Sequence, residues 1–470
     1  MVCIACGGTG VSSKGGVCFP CKGIATSSLP IPLPFQSEDL EAIEDLGNRA
    51  LVVWDMGLGK TLLALWWLLR NRRYIPAVVV CPAITKRQWQ EAADALGISN
   101  VVLEGRTPRK LDKVDLIIVN YDILMPWLKK IKCLFPDTII LDEIQKTANY
   151  TIRTRKCRSL CREAECVLGL SGTPMLNRTL ELFNGLNMIR PDVFDSKPAF
   201  EDEFAKWDYP YGHRKYAGAK NPKKLNRLLL DTCMIRRKKV DVLDQLPPKI
   251  RRVVPLDIRN RDEYSQAAGD FLGWLKEKKN RRMTEGASQL AKVGYLLRLA
   301  AKGKMKFAVE WIQELLEEED KVVVFAHHRK ALDALEKKLP ESVRIDGRTS
   351  KRNRVKAKDR FIEDPSVRLL LGNSEAAGTG LDGLQRVCSN IVFVELPWQP
   401  GTVLQNEDRL WRIGAWKKVW CWYLVAYNTI EEHLCKVLRL KQKDFLSVID
   451  GGDGDDLDVM SMLIKEMKPS

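Results

Sequence analysis

An α/β fold built as two parallel-sheet lobes is predicted by three observations. Strand-length apolar runs alternate with helix formers from Ala50 to Leu170, and the alternation restarts at Val322 and continues to Val394. Such alternation builds parallel strands joined by crossover helices. The runs are apolar at every residue, as in Ala77–Cys81, which marks strands covered on both faces. Finally, 470 residues are more than one core holds. The expected units are residues 1–24, 25–248, 249–450 and 451–470.

The first unit is set by cysteines. Cys3 and Cys6, then Cys18 and Cys21, form two Cys-x-x-Cys pairs, each trailed by glycine. Four thiolates so spaced suit a tetrahedral Zn²⁺, with glycines relieving the tight turns. The pattern looks like a zinc knuckle of the DnaJ type. A redox pair is the alternative, though it would open a helix in a thioredoxin-like unit. So short a span has little core, and metal would have to fold it. Thr26–Pro34, with three prolines, reads as a linker.

The next unit opens at Phe35-Gln36, before the amphipathic helix Glu38–Leu46. The strand Ala50–Trp54 runs into Asp55-Met-Gly-Leu-Gly-Lys-Thr61 and then the helix former Leu62–Leu69. Strand, glycine turn, Lys-Thr and helix is the layout of a phosphate-binding loop. Gly57 and Gly59 let backbone N–H groups turn inward; Lys60 would reach the β- and γ-phosphates and the Thr61 hydroxyl would hold Mg²⁺. The full pattern wants a further glycine where Trp54 stands. A bare strand–turn–helix is the competing reading. Gln36, ahead of the loop, could meet an adenine edge.

Strands follow at Ala77–Cys81, Leu116–Val119 and Thr138–Leu141, with a helix at Thr85–Ala95. Asp142 and Glu143 leave the last strand together. Asp142 would hold Mg²⁺ through water and Glu143 would polarise an attacking water, against the alternative of a solvated turn. Cys157, Cys161 and Cys166 fit one helix running into the strand Val167–Leu170, so they are expected to be packing thiols. Ser171-Gly172-Thr173-Pro174 ends that strand. Asp192–Asn226 reads as irregular or inserted, and Glu263–Leu299 and Lys306–Glu318 as helical.

The second block gives strands at Val322–Phe325, Val343–Asp346, Val367–Leu371 and Asn390–Val394, with helices at Lys330–Leu339 and Lys351–Ile362. Gly378-Thr-Gly380 and then Gln405 to Gly414 follow. Arg409 and Arg412 are three apart, one face of a helix, and both could point at one anion. Asp450–Asp458 reads as an acidic tail.

Composition narrows the class. With 45% hydrophobic and 29% charged residues the chain is an ordinary globular protein. No apolar stretch is long enough to span a membrane, and cysteines and glycines stand first rather than a basic, then apolar, leader, so secretion is not expected. Thirteen scattered cysteines suit a reducing compartment. The net charge of +16 is concentrated: Lys206–Arg252 holds fourteen Lys/Arg against four Asp/Glu, and Lys276–Lys306 ten against two. A concentrated positive field favours a polyanion through counterion release, with solvated helix faces as the bland reading.

Taken together these residues resemble the Swi/Snf family of helicase superfamily 2, in order from Phe35 to about Leu440. Asp55–Thr61 resembles the first motif. Asp142–Gln145 resembles the second, with Gln145 where His is usual, and Ser171–Pro174 the third. Ile235–Lys238 with Leu246–Lys249 resembles an element between the lobes. Gln405, Arg409, Arg412 and Gly414 resemble the last motif, with Trp411 where His is common and Ala415 where Gln is. Phe325–His328, Ile345–Gly347 and Glu395–Gly401 resemble the branch that holds the annealing helicases.

The resemblance implies two RecA-like lobes forming a helicase-type motor, with ATP and Mg²⁺ between them and double-stranded or branched DNA tracked along the cleft without strand separation. It implies nucleotide contacts from Gln36, Asp55, Met56, Gly57, Leu58, Gly59, Lys60, Thr61 and Gly380. Asp142, Glu143, Lys60, Arg409 and Arg412 would be catalytic, and Gln145, Ser171, Gly172, Thr173 and Gln405 would couple the lobes. Arg236, Arg237, Lys238 and Lys239 are expected to hold the DNA backbone. A strand-separating helicase and an ATP-gated DNA-binding switch are the competing functions. A monomer in the cytoplasm of a bacterium or a virus-infected cell is expected, or in the nucleus if eukaryotic.

Overall fold

The computed structural model describes residues 31–209, 215–243, 246–278, 286–374 and 383–452. Cys3, Cys6, Cys18, Cys21, Gly380 and most of the acidic tail lie outside the described residues.

The first sheet contains β1 (Arg49–Trp54), β2 (Ala77–Cys81), β3 (Asn100–Val102), β4 (Leu116–Asn120), β5 (Thr138–Asp142), β6 (Cys166–Ser171) and, from much later in the chain, β9 (Met234–Arg237). Its order is β3-β4-β2-β5-β6-β1-β9, and every pairing is parallel. Around it lie α1 (Pro34–Asp45), α2 (Lys60–Arg70), α3 (Lys86–Ala95), α4 (Leu124–Lys132), α5 (Ile152–Cys161) and α6 (Leu182–Ile189). Separate apolar clusters cover the two faces, which explains the uninterrupted apolar runs. Cys157, Cys161 and Cys166 are buried free thiols in α5 and β6, as the packing reading expected.

The stretch read as irregular is structured. It contains α7 (Lys197–Phe204), an antiparallel hairpin of β7 (Ala205–Asp208) and β8 (Lys215–Ala219), and α8 (Pro222–Thr232). Its lysines and aromatics do not alternate clearly with apolar residues, so the hairpin leaves no strand pattern in the sequence.

The chain changes sheets after α9 (Lys239–Val242). The second sheet contains β10 (Lys249–Leu256), β11 (Val322–Ala326), β12 (Ser342–Ile345), β13 (Leu369–Asn373), β14 (Asn390–Phe393) and β15 (Val419–Ala426), in the parallel order β10-β15-β14-β11-β13-β12. Its helices are α10 (Arg261–Lys278), α11 (Gly286–Glu318), α12 (Arg329–Lys338), α13 (Lys351–Glu363), α14 (Pro400–Glu407) and α15 (Ile430–Ile449). α11 runs unbroken through 300–305, where a gap between helices was expected. Two apolar clusters flank this sheet as well. No helix among the described residues is long and apolar enough to cross a membrane.

β10 opens the second sheet at Lys249, whereas α15, which follows the last strand of that sheet, ends against the first lobe. Its last turns bury Phe445, Val448 and Ile449 in the core of the first lobe.

Candidate functional site

The phosphate loop joins β1 to α2, and its glycines take the conformation the turn requires. Gly57 has φ 84° and Gly59 φ 91°, a left-handed region costly for side-chain-bearing residues. Trp54, where a further glycine was wanted, is fully buried. Its indole donates to Asp39 Oδ2 at 2.8 Å and its ring lies 5.3 Å from that of Phe35. The large side chain therefore ties the loop's entry to α1.

Lys60 folds back into the loop, donating to the carbonyls of Trp54 (2.7 Å) and Asp55 (3.2 Å). Burial lowers its pKa, and the nearby carboxylates of Glu143, Asp142 and Asp55 pull the other way. Asp142 ends β5, where its Oδ2 accepts from Trp89 Nε1 (3.0 Å) and Thr85 Oγ1 (3.3 Å). Burial and the neighbouring Glu143 push its pKa up to about 6. Glu143 has φ 55°, a left-handed backbone conformation that residues with side chains adopt at a cost. Two carboxylates beside an ammonium and a glycine loop fit a divalent ion with a phosphate chain. Thr61 stands on the first turn of α2, as a metal ligand there must.

From Glu143 a chain of hydrogen bonds crosses to the other lobe. Gln145 Nε2 donates to Glu143, and Gln145 Oε1 accepts from Ser171 Oγ at 2.7 Å. Ser171 Oγ accepts from the Thr173 N–H at 3.0 Å, and Thr173 Oγ1 accepts from Gln405 Nε2 at 2.8 Å. Gly172 is needed here: a Cβ would lie 2.9 Å from Met56 Cγ and 3.5 Å from Lys60 Nζ. All five residues expected to couple the lobes thus meet in one place. Gln145 replaces the usual His with an amide that donates and accepts at once.

Arg412 reaches the same loop from the second lobe. A Cβ on Gly57 would lie 3.1 Å from Arg412 Cβ and 3.4 Å from its Nε. Arg409 is buried beside it in the chain. The two do not lie on a helix as expected. α14 ends at Glu407, and residues 408–412 turn through short-range bonds such as Leu410 N–H to Glu407 O (3.2 Å).

Two further expectations are corrected. Gln36 is 1% exposed, and its amide is engaged by backbone: Nε2 donates to Leu58 O (2.8 Å) and Oε1 accepts from Leu33 N–H (2.8 Å). It braces the phosphate loop from beneath, in place of facing an adenine. The basic run Arg236–Lys239, expected on the DNA backbone, is largely engaged by carboxylates of the protein itself. Arg236 and Arg237 lie in β9 beside β1; Arg236 pairs with Asp55 (2.6 Å) and Asp450 (2.7 Å), and Arg237 with Asp39 (2.6 Å). Burial opposes the Arg236 charge, but Asp55 and Asp450 more than offset it and its pKa stays above the ordinary value. Lys239 is fully buried, against Asp408 (3.0 Å) and the carbonyl of Trp411 (2.6 Å). Lys238 is half-exposed and lies 3.8 Å from Asp450. Whether an arginine faces solvent or a carboxylate is decided by tertiary structure, and charge density along a sequence does not show it.

Other residues acquire partners that their spacing does not show. Trp411 packs under two ammonium groups, Lys249 Nζ at 4.3 Å and Lys239 Nζ at 5.0 Å from its ring centre, and its Nε1 donates to Pro247 O (2.8 Å). Lys249 and Arg251 both pair with buried Glu407, at 2.9 and 2.6 Å. On the second lobe, exposed Arg329, Arg348, Lys356 and Arg360 line an open trough of about 620 Å³ along α13. They make no ion pair among the described residues. Six Lys/Arg within Lys351–Arg360 were the available signal.

Two parallel-sheet lobes, a phosphate loop with paired carboxylates on one and an arginine from the other laid against that loop define a two-lobed phosphate-loop α/β protein. The chain belongs to the SNF2-related family: the SNF2-related domain matches residues 44–302, and the helicase conserved C-terminal domain residues 304–414. It is 32% identical over 436 residues to the SWI/SNF-related matrix-associated actin-dependent regulator of chromatin subfamily A-like protein 1 of Xenopus tropicalis, covering 87% of this chain and 44% of that protein. It is 29% identical over 443 residues to the human DNA annealing helicase and endonuclease ZRANB3, covering 89% of this chain and 40% of that protein. The chain thus spans less than half the length of these relatives. A SWI2/SNF2 ATPase core from Sulfolobus solfataricus aligns over 94% of this chain and 96% of that one, at 20% identity and a TM-score of 0.42, too loose a superposition to argue from. These relatives are animal proteins and lend nothing to the expected bacterial or viral origin.

Proposed function

We propose that the chain is an ATP-dependent translocase on double-stranded DNA, with branched DNA and strand annealing as its setting. The observation that carries this reading is the bonded chain from Glu143 through Gln145, Ser171 and Thr173 to Gln405, closed on the other side by Arg412 against Gly57. The carboxylate placed to polarise water is thereby linked to the lobe that would move.

In this reading the loop N–H groups and Lys60 hold the phosphates, Lys60 giving up its carbonyl partners to do so. Thr61 and Asp142 would hold Mg²⁺, which when bound neutralises phosphate charge. Glu143 orients and polarises the attacking water. Arg409 and Arg412 meet the negative charge that develops as the terminal phosphoryl group transfers. DNA backbone lies along the unpaired cations of α13 and its neighbours, where phosphates find charges no carboxylate already neutralises. Such contacts carry no demand for separated strands.

The test is the ATPase rate with no DNA, single strand, duplex and fork in parallel. Duplex and fork should stimulate, and a third strand should be displaced from a triplex with little unwinding of blunt duplex. Glu143→Gln should bind ATP and lose turnover by several orders of magnitude. Arg412→Ala should slow kcat by about a hundredfold, the worth of one charge-stabilising donor. ATPase stimulated by single strand alone, with efficient duplex unwinding, would replace the translocase with a strand-separating enzyme.

A further inference from the structure

α15 begins beside β15 in the second sheet and finishes inside the first lobe. Its end is held there by Asn226 of α8, whose Nδ2 donates to the carbonyls of Val448 (3.0 Å) and Ile449 (2.9 Å). These are among the carbonyls a helix end leaves without an internal partner. Gly451 then turns the chain away with φ 69°, and a Cβ there would meet Asn226 Oδ1 at 2.6 Å. Only glycine fits so close an approach in that conformation.

This docking delivers the C-cap residue, Asp450, to Arg236. Asp450 Oδ1 accepts from Arg236 Nε at 2.7 Å. Arg236 Nη1 donates to Asp55 Oδ1 (2.6 Å), Arg237 O (3.0 Å) and Val53 O (3.3 Å). Asp55 opens the phosphate loop, its other carboxylate oxygen accepts from the Lys239 N–H (2.9 Å), and its carbonyl accepts from Lys60 Nζ (3.2 Å). A guanidinium is a flat, rigid fork, so fixing its Nε fixes the direction in which Nη1 points.

We infer that Asp450 is a positioning residue for the phosphate loop: carried across the cleft by α15, it orients Arg236, which orients Asp55 and the loop that follows. The inference rests on the ATPase reading above and deepens it. ATP affinity on the first lobe depends on a carboxylate borne by the end of α15.

The full chain carrying Asp450→Asn, assayed with duplex, should show KM for ATP raised about tenfold with kcat within about twofold of wild type. The neutral amide keeps the size and loses the charge that holds Arg236. Asp450→Glu should recover part of the loss. Asn226→Ala, which releases the helix end without touching Arg236, should raise KM in the same way. Asp444→Asn is the contrast: Asp444 sits on the same helix and accepts from the Ala219 N–H (3.2 Å), tying α15 to the first lobe away from the loop. It should lower Tm and leave KM unchanged. An unchanged KM in Asp450→Asn, or an equal rise in Asp444→Asn, would overturn the inference. A wild-type chain that neither binds nor hydrolyses ATP would instead refute the reading beneath it.

Discussion

Gln405→Ala tests whether the lobes communicate through the bonded chain. The variant removes the Gln405 Nε2 bond to Thr173 Oγ1, 2.8 Å long and made across the cleft. A neutral bond of this kind contributes about 0.5–1.5 kcal/mol net. If that energy favours the closed, hydrolysing arrangement, its loss shifts the closure equilibrium by about two- to twelvefold. Steady-state ATPase against duplex concentration should therefore show the stimulated kcat falling by that factor, while the DNA-free rate changes less. Gln145→Ala should cost more, because Ser171 is fully buried and its hydroxyl would lose its acceptor. If the chain acts as a unit, the double variant is no worse than Gln145→Ala alone. Full duplex stimulation in Gln405→Ala, or losses that simply add, would refute the reasoning.

Three other outcomes are expected. Lys356→Ala with Arg360→Ala should lower the slope of log affinity for duplex against log salt by about two, one per lost phosphate contact, with ATP binding intact; an unchanged slope would place the duplex elsewhere. In the metal-free protein, Asp142 has its pKa raised from 3.8 to about 6 by burial and by Glu143. Between those values the folded state keeps a proton that the unfolded state has lost, so this group makes stability fall as pH rises, by on the order of 3 kcal/mol in all. Chemical denaturation at pH 4 and pH 7 should show that loss shrinking in Asp142→Asn, and an equal loss in the variant would contradict it. Metal analysis should find one zinc per chain, lost in Cys18→Ser; the same load in both, or none in either, would dismiss the knuckle.

How much of this could be read in the sequence depends on how local each feature is. The phosphate loop was legible because positive-φ glycines, Lys60 and Thr61 are consecutive, and the strand and helix around them are strongly patterned. Asp142 and Glu143 were legible as a pair at a strand end. Their supports were not: Trp89 and Thr85 lie more than fifty residues upstream and carry no distinguishing spacing. The coupling residues were named by type and resemblance, but the order in which they bond is a matter of side-chain direction. Gln36 shows the limit clearly. An amide before a phosphate loop serves a nucleotide or the loop's own backbone equally well, and only its burial against Leu58 O decides.

The misplaced basic stretch has a physical lesson of its own. Burying an ion pair costs desolvation that its attraction barely repays, so such pairs are poor sources of stability. Here they gather where the lobes meet. Burial pushes the Lys239 ammonium down to about 8 despite Asp408, while Lys249 keeps its charge against burial because Glu407 and Asp408 face it. Both ammonium groups lie over Trp411, in the position where the resemblance commonly has a histidine. A wrongly docked second lobe would strand these charges without partners, at about 3–5 kcal/mol for each broken pair. The arrangement therefore penalises misdocking far more than it rewards docking. It also engages part of the charge that made Lys206–Arg252 look like a nucleic-acid footprint, namely Arg236, Arg237, Lys239, Lys249 and Arg251. A polyanion must meet cations that are not already neutralised, and among the described residues the exposed Arg329, Arg348, Lys356 and Arg360 make no ion pair.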